Sequence, residues 1–178
     1  MRLVMFDIDG TLVQWNDIDR ICFSDAIKEV LGIDQIDTDW SHYSNVTDSG
    51  ITSEIVERSL SRRAEERDVS AVRSAYVRRL RHEVENDLTC FQATPGALEL
   101  ITALCSEESV GVCLATGGWR ASALLKLAVA GIPIGSIPLA SADDSHERKT
   151  IMIRAHERAR VHRNCEVFDS VVYVGDAA

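Results

Sequence analysis

The chain has 178 residues, of which 46% are hydrophobic and 26% charged, and this composition is typical of one globular core with room for a small insertion. Its formal net charge of -9 disfavours nucleic acid and anionic membrane surfaces as the main partners, and the sequence contains no apolar run long enough to cross a membrane. The five scattered cysteines indicate reduced thiols and a cytoplasmic location, and the early first strand predicts that there is no signal peptide.

The first predicted strand ends in two aspartates. The apolar run of residues 3–6 leads directly into Asp7, Asp9 and the turn residue Gly10. Because residues two apart in a strand point to the same face, both carboxylates can lie side by side in a crevice. Such a pair can bind Mg2+, which prefers oxygen ligands, or divide nucleophilic and proton-transfer roles. A strand end followed by an ordinary Asp-Gly turn is the alternative.

Residues 14–90 are predicted to form an all-helical insertion. Apolar residues at helical spacing predict helices at residues 17–31, 51–60 and 69–84, and Gly32 is placed to cap the first of them. The polar segment before the second helix contains Thr47 and Asp48, which we expect to contact a substrate. A plain N-cap for that helix is the alternative reading.

Strands and helices alternate after residue 90. Thr94 is expected to cap a helix that has Pro95 in its first position. The pattern predicts helices that end near residue 106 and that span 119–130 and 148–160, and strands at 110–115, 137–140 and 171–174. This alternation predicts an α/β fold with a Rossmann-like parallel sheet flanked by helices. We expect residues 1–13 and 91–178 to form this core domain and residues 14–90 to form an inserted helical cap domain.

Candidate site residues follow several of the predicted strands. Asp7 and Asp9 follow the first strand, Thr116 follows the strand at 110–115, Arg148 follows the loop after 137–140, and Asp176 follows the last strand. Ligands of open parallel sheets bind at the carboxyl ends of the strands. We therefore expect these residues to converge on one site.

The order of these residues resembles the haloacid dehalogenase (HAD) superfamily of phosphotransferases. The resemblance rests on Asp7-x-Asp9-Gly-Thr, the strand ending in Thr116, a downstream basic residue and the dipeptide Gly175-Asp176, and it covers the whole chain. Within the superfamily, the sequence resembles most the capped, phosphoglycolate phosphatase-like branch. It implies a Mg2+-dependent phosphatase that hydrolyses a small phosphorylated metabolite, phosphoglycolate-like or a sugar phosphate, through an aspartyl-phosphate intermediate. A phosphomutase of the same superfamily is the enzymatic alternative.

The resemblance also implies the roles of the catalytic residues. Asp7 would be the nucleophile, and Asp9 would protonate the leaving oxygen and then activate water. Arg148 would supply positive charge to the transferring phosphoryl group, and Lys149 is its rival because the usual residue is Lys.

The resemblance further implies the phosphate and metal ligands. Thr116 would hold phosphoryl oxygens together with the amides of Gly117 and Gly118, whose position at a helix N-terminus independently suits an anion. The carboxylates of Asp7 and Asp176 and the backbone carbonyl of Asp9 would bind Mg2+.

The chain departs from the family pattern after Asp176. A second acidic residue usually follows four or five positions later, and the usual final strand and helix follow as well; all are missing from the sequence. We therefore expect the strand from Val171 to Val174 to form a bare sheet edge. Either a partner chain, such as a second copy of this chain, covers this edge, or the protein aggregates. A non-catalytic, phosphate-binding or interaction protein is the alternative from a different functional class.

Overall fold

The computed structural model describes residues 1–176, which form a four-stranded parallel sheet with helices on both faces. The strand order is β3-β2-β1-β4, so β1 lies in the interior of the sheet. This confirms the predicted α/β fold. In chain order the elements are β1 (Arg2–Phe6), α1 (Asp17–Leu31), α2 (Asp48–Leu60), α3 (Glu66–Asn86), α4 (Ala97–Ser106), β2 (Val110–Ala115), α5 (Arg120–Val129), β3 (Leu139–Ala140), α6 (Arg148–Arg163) and β4 (Ser170–Val174), with a short 3-10 helix at Trp40–His42.

Alternating side chains along the strands create two apolar layers. On one face of the sheet, Leu3 and Met5 of β1 pack with Ile151 and Ala155 of α6. On the other face, Phe6 belongs to a larger core that also contains residues of α1, α3, α4 and α5. Because both faces are covered, every residue of β2 is buried.

The helical insertion, residues 14–90, shares this larger core. The rings of Phe23 in α1 and Tyr76 in α3 lie 5.9 and 5.8 Å from the ring of Trp119, which is fully buried just before α5. Helix α1 ends at Gly32, whose φ of 69° forms the predicted C-cap. That the insertion is a separate cap domain stays a prediction.

The prediction that Thr94 caps α4 is wrong. The Ala97 amide donates to the Thr94 carbonyl oxygen at 2.9 Å, which closes a turn. Gly96 has a φ of 82°, the value that the third position of a type II turn requires, and Pro95 suits the second position. Helix α4 therefore begins only at Ala97.

Strand β3 is shorter than the predicted 137–140. Pro138 has no amide hydrogen to donate to the sheet, and the Ile137 amide donates to the Ile134 carbonyl oxygen at 2.7 Å in a turn. Only Leu139–Ala140 remain in the parallel ladder.

The described surface includes one apolar sheet edge, at β4. Val171 and Val172 are each half exposed, and β4 is the last strand of the described sheet. A second copy of the chain that covers this edge stays a prediction. None of the helices within residues 1–176 combines the length and the apolar composition that a membrane crossing requires.

Gly111 of β2 lies against the ring of Phe168, and this contact gives a test of the packing. A Cβ atom at Gly111 would lie 2.9 Å from Cε1 of Phe168 and 3.4 Å from Cδ1 of Leu3. We expect Gly111→Ala to lower the free energy of unfolding by about 1–3 kcal/mol through overpacking, as measured by urea denaturation. The same substitution should cost at most about half as much in a Phe168→Leu background. Equal costs in both backgrounds would contradict the assignment of the constraint to the ring.

Candidate active site

Asp7 lies directly beyond β1, and its carboxylate is buried. The Asp7 amide donates to the Val174 carbonyl oxygen at 2.9 Å, so β4 holds the backbone at this point. The Ile8 amide donates to Asp7 Oδ1 at 2.8 Å, and the guanidinium of Arg148 donates to Oδ2. Burial raises the pKa of Asp7 to about 6, against the lowering effect of the Arg148 charge. Asp7 is therefore a desolvated carboxylate with one oxygen facing a cation.

Arg148 is the first residue of α6 and the basic side chain that contacts Asp7. Its Nη2 also donates to Tyr173 Oη at 3.0 Å, and this hydroxyl donates to Asp7 Oδ2 at 3.4 Å. Lys149, the rival from the sequence, is exposed. Of the two basic residues, the structure brings Arg148 to the predicted nucleophile.

Asp9 contacts a buried lysine that the sequence analysis missed. Nζ of Lys126 in α5 lies 2.7 Å from Asp9 Oδ1 and 3.0 Å from Asp19 Oδ1, and the Lys126 side chain is only 2% exposed. The Tyr76 hydroxyl donates to Asp19 Oδ1. Burial raises the pKa of Asp9, and the neighbouring Lys126 charge opposes this. One ammonium group therefore balances two carboxylates beside the site.

Helical spacing could have identified Lys126. Ala123, Lys126 and Leu127 lie three and four positions apart in α5, and all three are buried. A lysine on an apolar helix face needs a buried partner, because an unpaired ammonium group is costly to bury. Asp19 carries no comparable signal, because acidic residues are common in the first turn of a helix.

The turn after β2 is held by its own side chain and by the helical insertion. Thr116 Oγ1 accepts a hydrogen bond from the Gly118 amide at 3.0 Å. The next amide, that of Trp119, donates to Asp48 Oδ2 at 2.8 Å. A carboxylate thus lies at the N-terminus of α5, where a helix favours an anion.

Asp48 approaches this turn through its backbone as well. Its amide donates to the Gly117 carbonyl oxygen at 2.8 Å. A Cβ atom at Gly117 would lie 2.6 Å from Nη1 of Arg148 and 2.8 Å from the Val46 carbonyl oxygen, so this close approach requires glycine. Burial raises the pKa of Asp48 to about 7, with Lys126 acting in the opposite direction. Asp48 therefore joins the predicted phosphate-binding turn to the insertion.

Thr47 has the capping role that the sequence left as the alternative. Its hydroxyl accepts a hydrogen bond from the Gly50 amide at 3.1 Å, which caps α2, and donates to the His146 carbonyl oxygen at 2.8 Å. The side chain is buried. Its hydroxyl fixes the insertion against the loop before α6.

The three parts of the site meet around Gly118. A Cβ atom at this residue would lie 3.4 Å from Asp9 Oδ2, 3.4 Å from Thr116 Oγ1 and 3.7 Å from Asp48 Oδ2. These oxygen atoms come from the loop after β1, the turn after β2 and the start of α2. The convergence of the strand ends therefore includes a residue of the insertion.

Asp176 lies against the loop that carries Asp7 and Asp9. Asp176 Oδ2 accepts a hydrogen bond from Nε1 of Trp15 at 2.8 Å. A Cβ atom at Gly10, which has a φ of 75°, would lie 2.4 Å from the same oxygen. The end of β4 thus reaches the loop after β1, and a metal site shared by Asp7 and Asp176 stays a prediction.

The predicted donor set for a metal consists of oxygen atoms only. The carboxylates of Asp7 and Asp176 and the Asp9 carbonyl are the ligand types that a hard cation such as Mg2+ prefers. Within residues 1–176 there is no group of three or more His, Cys, Asp or Glu residues that could hold a metal ion. The predicted set contains two side-chain ligands and one backbone ligand, so its chemistry fits Mg2+ without such a group.

One cleft of about 1050 Å³ unites the site. All of the predicted site residues except Lys149 line it. The insertion adds aromatic side chains, among them Trp15, Phe23 and Trp40. A cleft of this size, with apolar walls and a few convergent polar groups, is typical of a small-molecule site.

Known structures share this fold. A hydrolase from Pseudomonas syringae is 19% identical, with a TM-score of 0.70 over 99% of this chain and 77% of that chain. CbbY from Rhodobacter sphaeroides, solved in complex with phosphate, is 15% identical, with a TM-score of 0.64 over 96% of this chain and 92% of that chain. A haloacid dehalogenase-like family hydrolase from Streptococcus pneumoniae is 18% identical, with a TM-score of 0.57 over 98% and 75%.

The family is shown by the sequence. A comparison with curated proteins gave no match. The family model for haloacid dehalogenase-like hydrolases matches residues 4–178. Because this match covers nearly the whole chain, the protein belongs to the haloacid dehalogenase-like hydrolase family.

Proposed function

We propose that this protein is a Mg2+-dependent phosphatase that hydrolyses a small phosphorylated metabolite through an aspartyl-phosphate on Asp7. The observation that carries the proposal is a pair of neighbouring carboxylates with different partners: Asp7 contacts Arg148, and Asp9 contacts Lys126. Carboxylates in different environments can take different roles in one reaction. Membership of a hydrolase family supports the hydrolytic outcome.

The proposed reaction has two steps. Asp7 attacks the phosphorus atom and forms an oxygen–phosphorus bond, while the bond to the leaving oxygen breaks and Asp9 donates a proton to that oxygen. Asp9 then removes a proton from the water molecule that attacks the phosphorus, which releases phosphate and restores Asp7. Arg148 and the Thr116 hydroxyl would offset negative charge on the phosphoryl oxygens.

The all-oxygen donor set supports Mg2+ as the cofactor. The carboxylates of Asp7 and Asp176 and the backbone carbonyl of Asp9 would hold it. When bound, the ion would offset the negative charge of the carboxylates and of the phosphoryl group. The desolvated state of Asp7 supports this assignment, because a nearby cation would favour its charged form.

The charge of the cleft favours a leaving group without a carboxylate. Asp17, Asp19 and Asp48 line the part of the cleft that the insertion forms, together with Arg20. Arg20 is paired with Asp17 at 3.0 Å and Lys126 with Asp19 at 3.0 Å, so Asp48 is the carboxylate of the insertion whose charge the leaving group would meet. Because a second negative group on the substrate would meet like charge there, a sugar or polyol phosphate fits better than phosphoglycolate.

The cellular setting is part of the proposal. The five cysteines, at positions 22, 90, 105, 113 and 165, are all free. Free cysteines are compatible with a reducing cytoplasm, where a phosphatase of small metabolites would work.

Asp7→Asn tests the nucleophile. The amide cannot form the aspartyl-phosphate, so we expect turnover of p-nitrophenyl phosphate to fall by at least about 1000-fold. Circular dichroism should show an unchanged fold. Asp34→Asn is the matched control, because Asp34 is an exposed partner of Lys28 and should leave turnover unchanged. Full activity of Asp7→Asn would remove Asp7 as the nucleophile, and conversion of a sugar phosphate to its isomer without phosphate release would identify a phosphomutase.

Thermal unfolding tests the metal site. Mg2+ at ten times its dissociation constant should stabilise the fold by about 1.4 kcal/mol and raise the Tm, and EDTA should reverse the shift. Asp176→Asn should reduce the shift because it removes one ligand. Asp169→Asn, at an exposed pair with the N-terminus, should leave it intact. A Tm that does not respond to millimolar Mg2+ would contradict the cofactor assignment.

A matched pair of substrates tests the charge argument. Glycerol 3-phosphate and 3-phosphoglycerate differ in the group, alcohol or carboxylate, at the far end. We expect kcat/KM to be at least about tenfold higher for the alcohol, because like charges oppose binding of the carboxylate. Asp48→Asn should reduce the ratio of kcat/KM between the alcohol and the carboxylate substrate, because it removes the charge while its side-chain oxygen can still accept the hydrogen bond from the Trp119 amide. A preference for the carboxylate would show that the cleft does not select in this way.

A further inference from the structure

The geometry points to a further residue in the reaction: we infer that Lys126 is the positioning residue that orients Asp9 toward the leaving oxygen. The inference rests on the proposed function, because it assigns Lys126 to the proton transfer by Asp9. Lys126 would act through Asp9 and would not touch the substrate.

The two oxygens of Asp9 have different surroundings. Oδ1 lies 2.7 Å from Nζ of Lys126 and accepts its hydrogen bond. Oδ2 faces the turn after β2, since a Cβ atom at Gly118 would lie 3.4 Å from it and 3.4 Å from Thr116 Oγ1. The ammonium group therefore holds one oxygen and leaves the other beside the residue predicted to bind phosphate.

Lys126 is also held by the helical insertion. Asp19 of α1 lies 3.0 Å from Nζ, and the Tyr76 hydroxyl of α3 donates to the same Asp19 oxygen. The ammonium group is thus fixed between a carboxylate of the core and a carboxylate of the insertion. This arrangement makes the orientation of Asp9 depend on the placement of α1 and α3.

A purely structural role does not explain this choice of residue. Lys126 is almost completely buried, and its buried neighbours in α5, Ser122, Ala123 and Leu127, carry no charge. Apolar side chains fill such a position at lower cost, because a buried ion pair seldom repays its desolvation. The charge is therefore better explained by the carboxylate that it holds.

The consequence for the reaction depends on the leaving group. In the first step, the proton leaves Asp9 Oδ2 for the leaving oxygen as the phosphorus–oxygen bond breaks and the bond from Asp7 forms. An alkyl leaving group needs this proton because an alkoxide is strongly basic, whereas p-nitrophenolate can leave without it. Loss of the positioning residue should therefore lower kcat/KM more for alkyl phosphates than for aryl phosphates.

The test compares wild-type protein with Lys126→Met on glycerol 3-phosphate and p-nitrophenyl phosphate, both measured as kcat/KM with Mg2+. We expect kcat/KM for the alkyl substrate to fall by a factor at least about ten times larger than the factor for the aryl substrate. This difference is part of the rate enhancement that a general acid supplies. Lys126→Arg keeps the charge and should bring the ratio of alkyl to aryl kcat/KM part of the way back to the wild-type value. Lys28→Met, at an exposed lysine paired with Asp34, is the matched control and should change neither value.

The outcomes separate the positioning role of Lys126 from the proposed phosphatase function. Equal losses for both substrates, or a greater loss for the aryl substrate, would overturn the positioning role while the proposed phosphatase function stands. No turnover of either substrate by the wild-type protein would remove the proposed function and this inference with it. If circular dichroism shows that Lys126→Met is unfolded, Asp19→Asn decides: it loosens Lys126 and should shift the ratio in the same direction, and an unchanged ratio would overturn the inference.

Discussion

The arrangement of the site depends on two cations, the buried Lys126 and the partly buried Arg148, which hold carboxylates at one end of the sheet. Arg148 contacts Asp7, and Lys126 lies between Asp9 and Asp19. Without these cations, neighbouring carboxylates in a desolvated crevice would repel one another and take up protons. Both cations come from helices that pack on the sheet, so the positions of α5 and α6 set the charge balance of the site.

The helical insertion is a structural part of this site. Ser49 illustrates its attachment: the hydroxyl donates to the Ala142 carbonyl oxygen at 2.6 Å and accepts from Nε1 of Trp119 at 3.0 Å. Together with Thr47 and Asp48, it fixes the start of α2 on the loops that follow β2 and β3. The insertion therefore supplies walls, hydrogen bonds and charge to the cleft, and a proposal for the substrate must begin with its residues.

The sequence was sufficient for the features that depend on local pattern. Asp7 and Asp9 follow an apolar strand, and Gly32 ends an amphipathic helix, so periodicity and turn chemistry predicted their places. Short-range alternatives were harder to separate. Thr94 looked like a cap but belongs to a type II turn, and β3 lost residues because Pro138 cannot donate.

Contacts between distant parts of the chain could not be predicted from the sequence. Lys126 pairs with Asp9 and Asp19 only because α5 and α1 are brought together by the fold, and no local pattern links them. The choice between Arg148 and Lys149 also needed the structure, because a shift of one position at a helix start turns a side chain by about 100°. Tertiary packing decided both questions.

In the proposed reaction, Asp7 carries the phosphoryl group between the two steps. The most direct measurement is acid quenching of an Asp9→Asn variant within milliseconds of mixing with p-nitrophenyl phosphate labelled in its phosphoryl group, followed by mass spectrometry of the peptides; this substrate is chosen because its leaving group needs no proton from Asp9. In this variant the intermediate should persist because the group that activates water is missing. We expect a labelled phosphoryl group on Asp7. Turnover without a labelled peptide, or a label on any other residue, would contradict it.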